Sequence, residues 1–235
     1  MSKSVYQHGT MAKFVPGLYD GTKKLVDILK EGDTGLGTGD GMDGELIIIK
    51  GIPFRVTSTG EVTIVPEDEM IPFCTVHFAD FSRLNLFNRI ERKELEDEIL
   101  ERTHYRNIIF AIKIEGTFSN MKTRTVIKQH KPYAPLHKLE QKQIEFEKEQ
   151  VAGTLISYYF PELYNGLNVS GFHHHFLADD HSIGGHVLDF VLEQGEVSIQ
   201  PFDTFVQQNP IHDKEFLEAD YSLFDLHDSI SNLEN

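Results

Sequence analysis

The stretch GFHHHFLADDHSIGGHVLDF, residues 171–190, predicts two β-strands joined by a turn. Side chains alternate between the two faces of a strand, so His173 and His175 project from one face and His174 from the other. The segment LADDHSIGG can reverse the chain, and its paired glycines permit a tight approach just before His186. Such a hairpin places His186 opposite the pair formed by His173 and His175.

These three histidines are predicted metal ligands, because three neutral imidazoles with one open coordination position are typical of catalytic zinc sites. Imidazole also suits iron, nickel and copper, so the spacing alone does not name the metal. The alternative is a polar strand surface, or incidental histidines, since the chain contains 12 of them. We expect His174 to be a structural or surface residue, and His181 either to support the site from the turn or to be solvated.

Upstream, the sequence alternates between β-like runs and charged helical segments. Residues 22–31 predict a helix with an apolar stripe, whereas residues 32–45 contain six glycines and predict loops or tight turns. The runs between residues 45 and 79 predict strands. Residues 89–103 predict a charged helix whose few apolar side chains face inward.

The middle of the chain predicts a division into two halves. Residues 107–129 predict a hairpin that turns near Glu115-Gly116, and residues 136–150 form a charged, moderately amphipathic segment that could link two sheets. We therefore expect an N-terminal half over residues 1–135 and a C-terminal half over residues 136–235, with the histidine motif and an acidic tail. The halves are expected to associate tightly, possibly as one domain.

The charge balance excludes several classes of partner. The formal net charge is −15, which disfavours binding to nucleic acid or to an anionic membrane surface.

The lone cysteine, Cys74, cannot form an intramolecular disulfide. Neither a signal peptide nor an apolar run of about 18 residues is visible, so we expect a cytoplasmic protein.

Two charged residues outside the histidine motif are candidates for chemistry. Glu45 stands where the glycine-rich segment meets an apolar strand, where a carboxylate either reaches a cleft or is a solvated turn acid. Arg124 lies in a predicted strand, where its guanidinium either holds a carboxylate substrate or forms a cross-strand ion pair. Without further context both alternatives remain open for each residue.

The whole chain resembles the acetolactate decarboxylase family. No single motif decides this, but the order and spacing of the motifs together are specific. The matching segments are YQHGTMAKFVPGLYDG (6–21), GLGTGDGMDGELIII (35–49), AIKIEGTFSNMKTRTV (111–126), KPYAPL (131–136) and GFHHHF with GGHVLDF (171–176 and 184–190).

The resemblance implies roles for particular residues. It implies zinc bound by the three histidines already named, a catalytic Glu45 in the DGE element and a catalytic Arg124 in the KTR element. It places Thr38 near the substrate and implies that a glutamate close to the chain end reaches the site. Glu234 is the best match for that glutamate, with Glu218 as the alternative. His181 departs from the pattern, because many relatives are expected to have arginine there.

The resemblance also implies a fold and a reaction. The expected fold is α+β but mostly β, with a mixed sheet, a smaller barrel-like antiparallel sheet and a few helices. The expected reaction converts the 2-hydroxy-3-keto acid (S)-2-acetolactate to (R)-acetoin and carbon dioxide, in acetoin and butanediol formation from pyruvate. A homodimer is expected, with no nucleic acid or membrane partner.

Two other functions fit the histidine motif. A cupin-like metal oxygenase also uses paired strand histidines and a distant third, although here the expected carboxylate ligand is replaced by Asp179 and Asp180 in the turn. A metal-dependent binding module without catalysis is the second alternative. Oxygen consumption would indicate the first, and stoichiometric ligand binding without turnover the second.

Overall fold

Strands dominate residues 3–139, 142–224 and 226, which are the part of the chain that the computed structural model describes. Within that part, two large sheets and one two-stranded ribbon form. The strands are β1 (Ser4–His8), β2 (Lys23–Lys24), β3 (Thr34–Thr38), β4 (Glu45–Ile49), β5 (Ile52–Val56), β6 (Val62–Ile64), β7 (Met70–Ile71), β8 (Phe73–His77), β9 (Ser82–Glu91), β10 (Phe110–Val126), β11 (Gln143–Phe160), β12 (Gly171–Ala178), β13 (Gly184–Pro201) and β14 (Thr204–Gln208).

The first large sheet is mixed, with seven strands in the order β14-β1-β8-β3-β4-β5-β6. Its only parallel pair among the described strands is β1 with β14, and the other neighbours are antiparallel. The prediction of loops over residues 32–45 is wrong in part, because β3 lies inside this sheet. Its glycines serve close packing: a Cβ on Gly37 would lie 2.4 Å from the carbonyl oxygen of Phe73.

The second large sheet is antiparallel and closes on itself. Its strand order is β10-β11-β12-β13-β9, and β10 also pairs with β13, which completes a barrel-like ring. The hairpin predicted near Glu115-Gly116 is wrong, because β10 runs unbroken through both residues. Gly116 instead pairs with Gly153 on β11 and Gly195 on β13, so three glycines allow close backbone approach where the ring curves.

Helices are few and short. Among the described residues the α-helices are α1 (Leu25–Ile28), α2 (Arg92–Thr103) and α3 (Lys214–Glu218), so the helix predicted over residues 22–31 is reduced to one turn preceded by β2. The predicted charged helix is confirmed as α2, which buries Leu95 and Ile99. None of the described helices is long and apolar enough to cross a membrane.

Strands from both sides of residue 135 contribute to both sheets. β9 and β10 precede that position but belong to the antiparallel sheet, and β14 follows it but joins the mixed sheet. The segment predicted to link the halves, residues 136–150, contains the start of β11. The sheets therefore do not follow the predicted division, and the division into two domains stays a prediction.

The two sheets pack face to face through β3 and β4 on one side and β11, β12 and β13 on the other. Leu36 and Ile47 from the mixed sheet join Ile156, Tyr158 and Leu177 from the antiparallel sheet in one buried cluster. Burial of these side chains holds the sheets together, since each contributes roughly 1.5–3 kcal/mol when removed from water. The expected fold class, a mixed sheet with an antiparallel sheet and few helices, is confirmed.

Candidate metal and active site

Three histidines converge where β12 and β13 meet. His175 pairs in register with His186, and His173 lies two residues earlier on the same face of β12. Each of the three residues offers a ring nitrogen, and these nitrogens all lie within 4.8 Å of one another. All three side chains are buried, so this group could hold a metal ion.

The glycines before His186 bring β13 close to its neighbours. Gly185 has φ +119°, a conformation that side chains disfavour, and a Cβ there would lie 2.6 Å from the carbonyl oxygen of Arg124. At Gly184 a Cβ would lie 2.7 Å from the carbonyl oxygen of Phe176. Glycine is therefore required at both positions for His186 to lie beside Arg124, its partner in register on β10.

Burial keeps the rings of His173 and His175 neutral. It lowers the pKa of His173 to about 3, with a smaller contribution from the nearby Arg124 guanidinium, and it lowers the pKa of His175 well below its ordinary value. His175 Nδ1 lies 2.8 Å from the carbonyl oxygen of Leu46 and donates to it. Nε2 of His175 then carries a lone pair, and within the described part of the chain it has no hydrogen-bond partner. A neutral ring fixed in this way suits metal coordination.

A buried ion pair faces the histidines from β4 and β10. Arg124 Nη1 lies 3.2 Å from Glu45 Oε1, and the other oxygen of Glu45 lies 3.4 Å from His175 Nε2. Both side chains are buried, which excludes the solvated turn acid for Glu45. The Arg124–Glu45 ion pair joins the two sheets, and both side chains line the cavity described next.

A small cavity of about 20 Å³ adjoins these groups. Thr38 contributes to its wall, and its hydroxyl donates to the carbonyl oxygen of Gly44 at 2.8 Å. The full lining is Met11, Phe14, Gly37, Thr38, Met42, Glu45, Phe73, Arg124, His173 and His175.

The apolar part of this lining was not predicted from the sequence. Met11, Phe14, Met42 and Phe73 are buried together in one cluster. They come from a 3-10 turn, a glycine-rich loop and a strand, so no shared periodicity relates them. Met11, Phe14 and Met42 fall inside the matching segments 6–21 and 35–49, whereas Phe73 lies outside every matching segment.

The remaining candidates lie elsewhere or cannot be placed. His174 faces away from the cavity, as strand alternation predicted, but it is buried and not on the surface: its Nε2 lies 2.9 Å from Glu96 Oε1 on α2. His181 is exposed in the turn, with its ring 5.2 Å from that of Phe54. Glu234 lies outside the described residues, and Glu218 is exposed 3.8 Å from Lys214.

Comparisons with known proteins identify the family of the chain. The family model for alpha-acetolactate decarboxylase matches residues 5–223. This chain belongs to the alpha-acetolactate decarboxylase family. The family is one of carboxy-lyases, and the resemblance stated from the sequence is confirmed.

Both sequences and solved structures of the alpha-acetolactate decarboxylase family cover nearly the whole chain. The alpha-acetolactate decarboxylase of Lactococcus lactis subsp. cremoris is 34% identical over 93% of both chains. The solved structure of that enzyme from Bacillus subtilis strain 168 is 35% identical, covers 99% of both chains and has a TM-score of 0.93. A Staphylococcus aureus protein described as similar to the family is 31% identical, covers 98% of this chain and 100% of its own, and has a TM-score of 0.94.

Proposed function

We propose that this protein is a zinc-dependent decarboxylase that converts (S)-2-acetolactate to (R)-acetoin and carbon dioxide. The observation that carries the proposal is the buried histidine group beside a buried Glu45–Arg124 pair, which lines one cavity together with His173 and His175. Membership in the family supports the substrate class, a small 2-hydroxy-3-keto acid. The metal-dependent binding module lacks support from the family, and Asp179 and Asp180, which stand in place of the carboxylate ligand of a cupin-like oxygenase, are exposed in the turn after β12.

The three histidines fit zinc. Neutral imidazoles in a closely spaced trio, with His175 oriented by the Leu46 carbonyl, match the donor set and the supporting hydrogen bonds of catalytic zinc. When bound, the metal supplies Lewis-acid stabilisation of negative charge that develops on the substrate oxygens, a contribution of several kcal/mol.

The protein side chains orient the substrate and move the proton. Arg124 pairs with a carboxylate through its planar guanidinium, and this places the bond to be broken beside the histidines. When that bond breaks, its electron pair passes to the neighbouring ketone oxygen, which leaves an enediolate. The carbon that lost carbon dioxide must then receive a proton on one face to give a single enantiomer.

Glu45 is ionised in its pair with Arg124, so we propose that its carboxylate, or a water that it orients, first accepts the hydroxyl proton of the substrate and then delivers a proton to the carbon, with solvent restoring the hydroxyl proton. Arginine has a pKa above 12, so it is a poor acid, whereas a carboxyl group 3.2 Å from Arg124 and 3.4 Å from His175 Nε2 lies within reach of the same substrate. Thr38 lines the cavity and is proposed to contact the substrate. Glu234 is proposed to reach the site from the chain end, on the resemblance alone.

One experiment tests the proposal directly. The purified protein, with its metal content measured, is given racemic 2-acetolactate, and acetoin is quantified on a chiral column. We expect (R)-acetoin from half of the substrate, loss of activity with a chelator and recovery on adding zinc. Oxygen uptake in place of carbon dioxide release would favour the oxygenase, and binding without turnover would favour the binding module.

The assembly and location of the protein remain proposals. The resemblance supports a homodimer, which light scattering on the purified protein would test. A cytoplasmic location is likewise proposed, and fractionation of cells that produce the protein would test it.

A further inference from the structure

Strand β13 changes its pairing partner at His186, one of the three candidate metal ligands. From Gly184 to His186 the strand pairs with β12. From His186 onward it pairs with β10, beginning with Arg124. His186 therefore has a neighbouring strand on each side, and the register of β13 decides whether its ring joins the other two histidines.

The backbone pairing between β10 and β13 is irregular close to this histidine. Lys122 pairs with Asp189, but the next residue, Thr123, pairs with Val187, so one residue of β13 is left without a pair. Such a bulge disrupts the ladder locally and re-aims the side chains beside it. Because a slip by one residue would turn His186 to the opposite face, a contact that fixes the register here has a direct effect on the trio.

The side chain of Thr123 makes a contact of this kind. Its hydroxyl donates to the carbonyl oxygen of Gly184 at 2.8 Å, in the interior of the protein. Gly184 lies in the part of β13 that pairs with β12, so the hydrogen bond spans the position at which the strand changes partners. Thr123 is fully buried and does not line the cavity, so its hydroxyl acts on the strand and not on a substrate.

The position of β13 sets the spacing of the three imidazoles. The ring centre of His186 lies 4.9 Å from that of His173 and 5.7 Å from that of His175. Metal affinity depends on the interactions that hold such rings in place, and removal of one supporting interaction typically weakens metal binding about 10–100-fold. A lost hydroxyl at residue 123 should therefore be measurable as weaker zinc binding.

We propose that Thr123 is a positioning residue, whose hydrogen bond to the Gly184 carbonyl holds His186 in the metal-binding trio beside Arg124. This inference rests on the proposed function, since it takes the trio to be the zinc site of the decarboxylase. It concerns how one ligand is held, so zinc affinity tests it without any measurement of turnover.

The test compares the zinc dissociation constants of the unmodified protein and Thr123→Val, measured by competition with a chromogenic chelator. Valine keeps nearly the shape of threonine but leaves the Gly184 carbonyl without this donor. We expect the affinity of Thr123→Val to fall about tenfold or more. The visible absorption of the cobalt-substituted protein, which reports ligand geometry, should also change. Thr123→Ser keeps the hydroxyl and should restore both properties.

Thr125→Val is the matched control. Thr125 is on the same strand and is also fully buried, but its hydroxyl donates to the Thr57 carbonyl at 3.3 Å, which follows β5 in the mixed sheet. This variant removes an equivalent methyl-for-hydroxyl pair and should lower the melting temperature. Its zinc affinity and cobalt spectrum should equal those of the unmodified protein.

Several results would overturn the inference. They are an unchanged zinc affinity and cobalt spectrum in folded Thr123→Val, an equal loss of affinity in Thr125→Val, and a Thr123→Ser variant that binds zinc as weakly as Thr123→Val. If Thr123→Val does not fold, Thr123→Ala replaces it. Failure of both to fold while Thr125→Val folds would show that Thr123 supports the whole fold, which also overturns the positioning role.

Failure of the proposed function would appear differently. If the unmodified protein binds zinc but releases no carbon dioxide from 2-acetolactate, the decarboxylase proposal fails, whereas the zinc affinities still decide the role of Thr123. If the unmodified protein binds no zinc, both proposals fail.

Discussion

The two faces of β12 carry neighbouring histidines that have different surroundings. On the inner face, His175 donates to the Leu46 backbone carbonyl and lies 3.4 Å from the Glu45 carboxylate. On the outer face, His174 meets Glu96 of α2 at 2.9 Å and stacks on Phe172. Both residues are histidines, but among the described residues only the inner face brings further imidazoles together. The difference shows that partners, and not residue type, separate a candidate ligand from a structural histidine.

Of the changes to the two faces of β12, removal of a histidine ring from the inner face should have the largest effect on zinc content and activity. His173→Ala is expected to lose bound zinc and decarboxylase activity together, because two imidazoles alone do not form the tridentate site. Metal analysis after dialysis and an acetoin assay measure both. His174→Gln is the control from the outer face, expected to keep one zinc per chain. Full zinc occupancy in His173→Ala would exclude His173 as an essential ligand.

A substitution at Arg124 should reduce catalysis without reducing metal binding. Arg124→Ala is expected to keep zinc but to lose roughly 10²-fold in kcat, because the substrate carboxylate is no longer positioned beside the histidines. Because the change also leaves Glu45 buried without its arginine, the melting temperature should fall.

A second variant distinguishes the loss of charge from the loss of stability. Arg124→Lys keeps a cation near Glu45 but not the planar guanidinium, so it should recover stability more than activity. Normal turnover in folded Arg124→Ala would contradict the role proposed for this residue.

A substitution at Glu96 tests the outer face of β12, and its expected effect on the protein is smaller. Glu96→Gln removes the charge from the contact with His174, and we expect a loss of about 1–3 kcal/mol in the free energy of unfolding. Zinc stoichiometry should be unchanged, because the contact lies on the opposite face of β12. Denaturant unfolding followed by metal analysis measures both quantities. Glu94→Gln, on an exposed position of the same helix, is the matched control. Loss of zinc in Glu96→Gln would show that the two faces are not independent.

The inner face could be predicted from sequence because it depends on short-range rules. Strand alternation places His173 and His175 together, and the glycine pair before His186 predicts the hairpin that completes the trio. The ion pair between Glu45 and Arg124 could not be predicted from spacing, since it joins strands 79 residues apart in different sheets. Only the family resemblance associated these two residues in advance.

The errors of prediction arise where tertiary packing overrides local signals. Glycines at residues 35 and 37 indicated a loop, yet they form a central strand because neighbouring backbones approach too closely for any Cβ. Gly116 indicated a turn, but it lies in β10 opposite two other glycines. A single sequence shows where each glycine lies in the chain, but it does not show which neighbouring backbone lies too close to allow a Cβ at that position.

The smallest expected effect concerns His77, a buried histidine in the mixed sheet that is not among the candidate metal ligands. His77 donates from Nδ1 to the Tyr158 hydroxyl at 2.7 Å, and that hydroxyl donates to the Thr34 carbonyl at 3.2 Å. Burial lowers the pKa of His77 to about 3, partly offset by the charge of Asp33. Below pH 6.5 the unfolded chain binds a proton at this residue that the folded chain does not, so stability falls as the pH falls from about 6.5 toward 3.

His77→Asn should reduce this acid sensitivity, because asparagine keeps a donor for the Tyr158 hydroxyl but does not titrate. Between pH 6 and 4 the slope of unfolding free energy against pH should decrease by up to about 1.4 kcal/mol per pH unit, the value for one proton. Denaturant unfolding of the metal-free protein at several pH values measures the slope, since zinc would add its own proton competition at the ligand histidines. His181→Asn, at an exposed position, should leave the slope unchanged. An unchanged slope in His77→Asn would contradict this expectation, because it would mean that His77 binds a proton equally well in the folded and unfolded chains. A ring in contact with the aromatic side chains of Phe81 and Phe202 should bind that proton less readily in the folded chain.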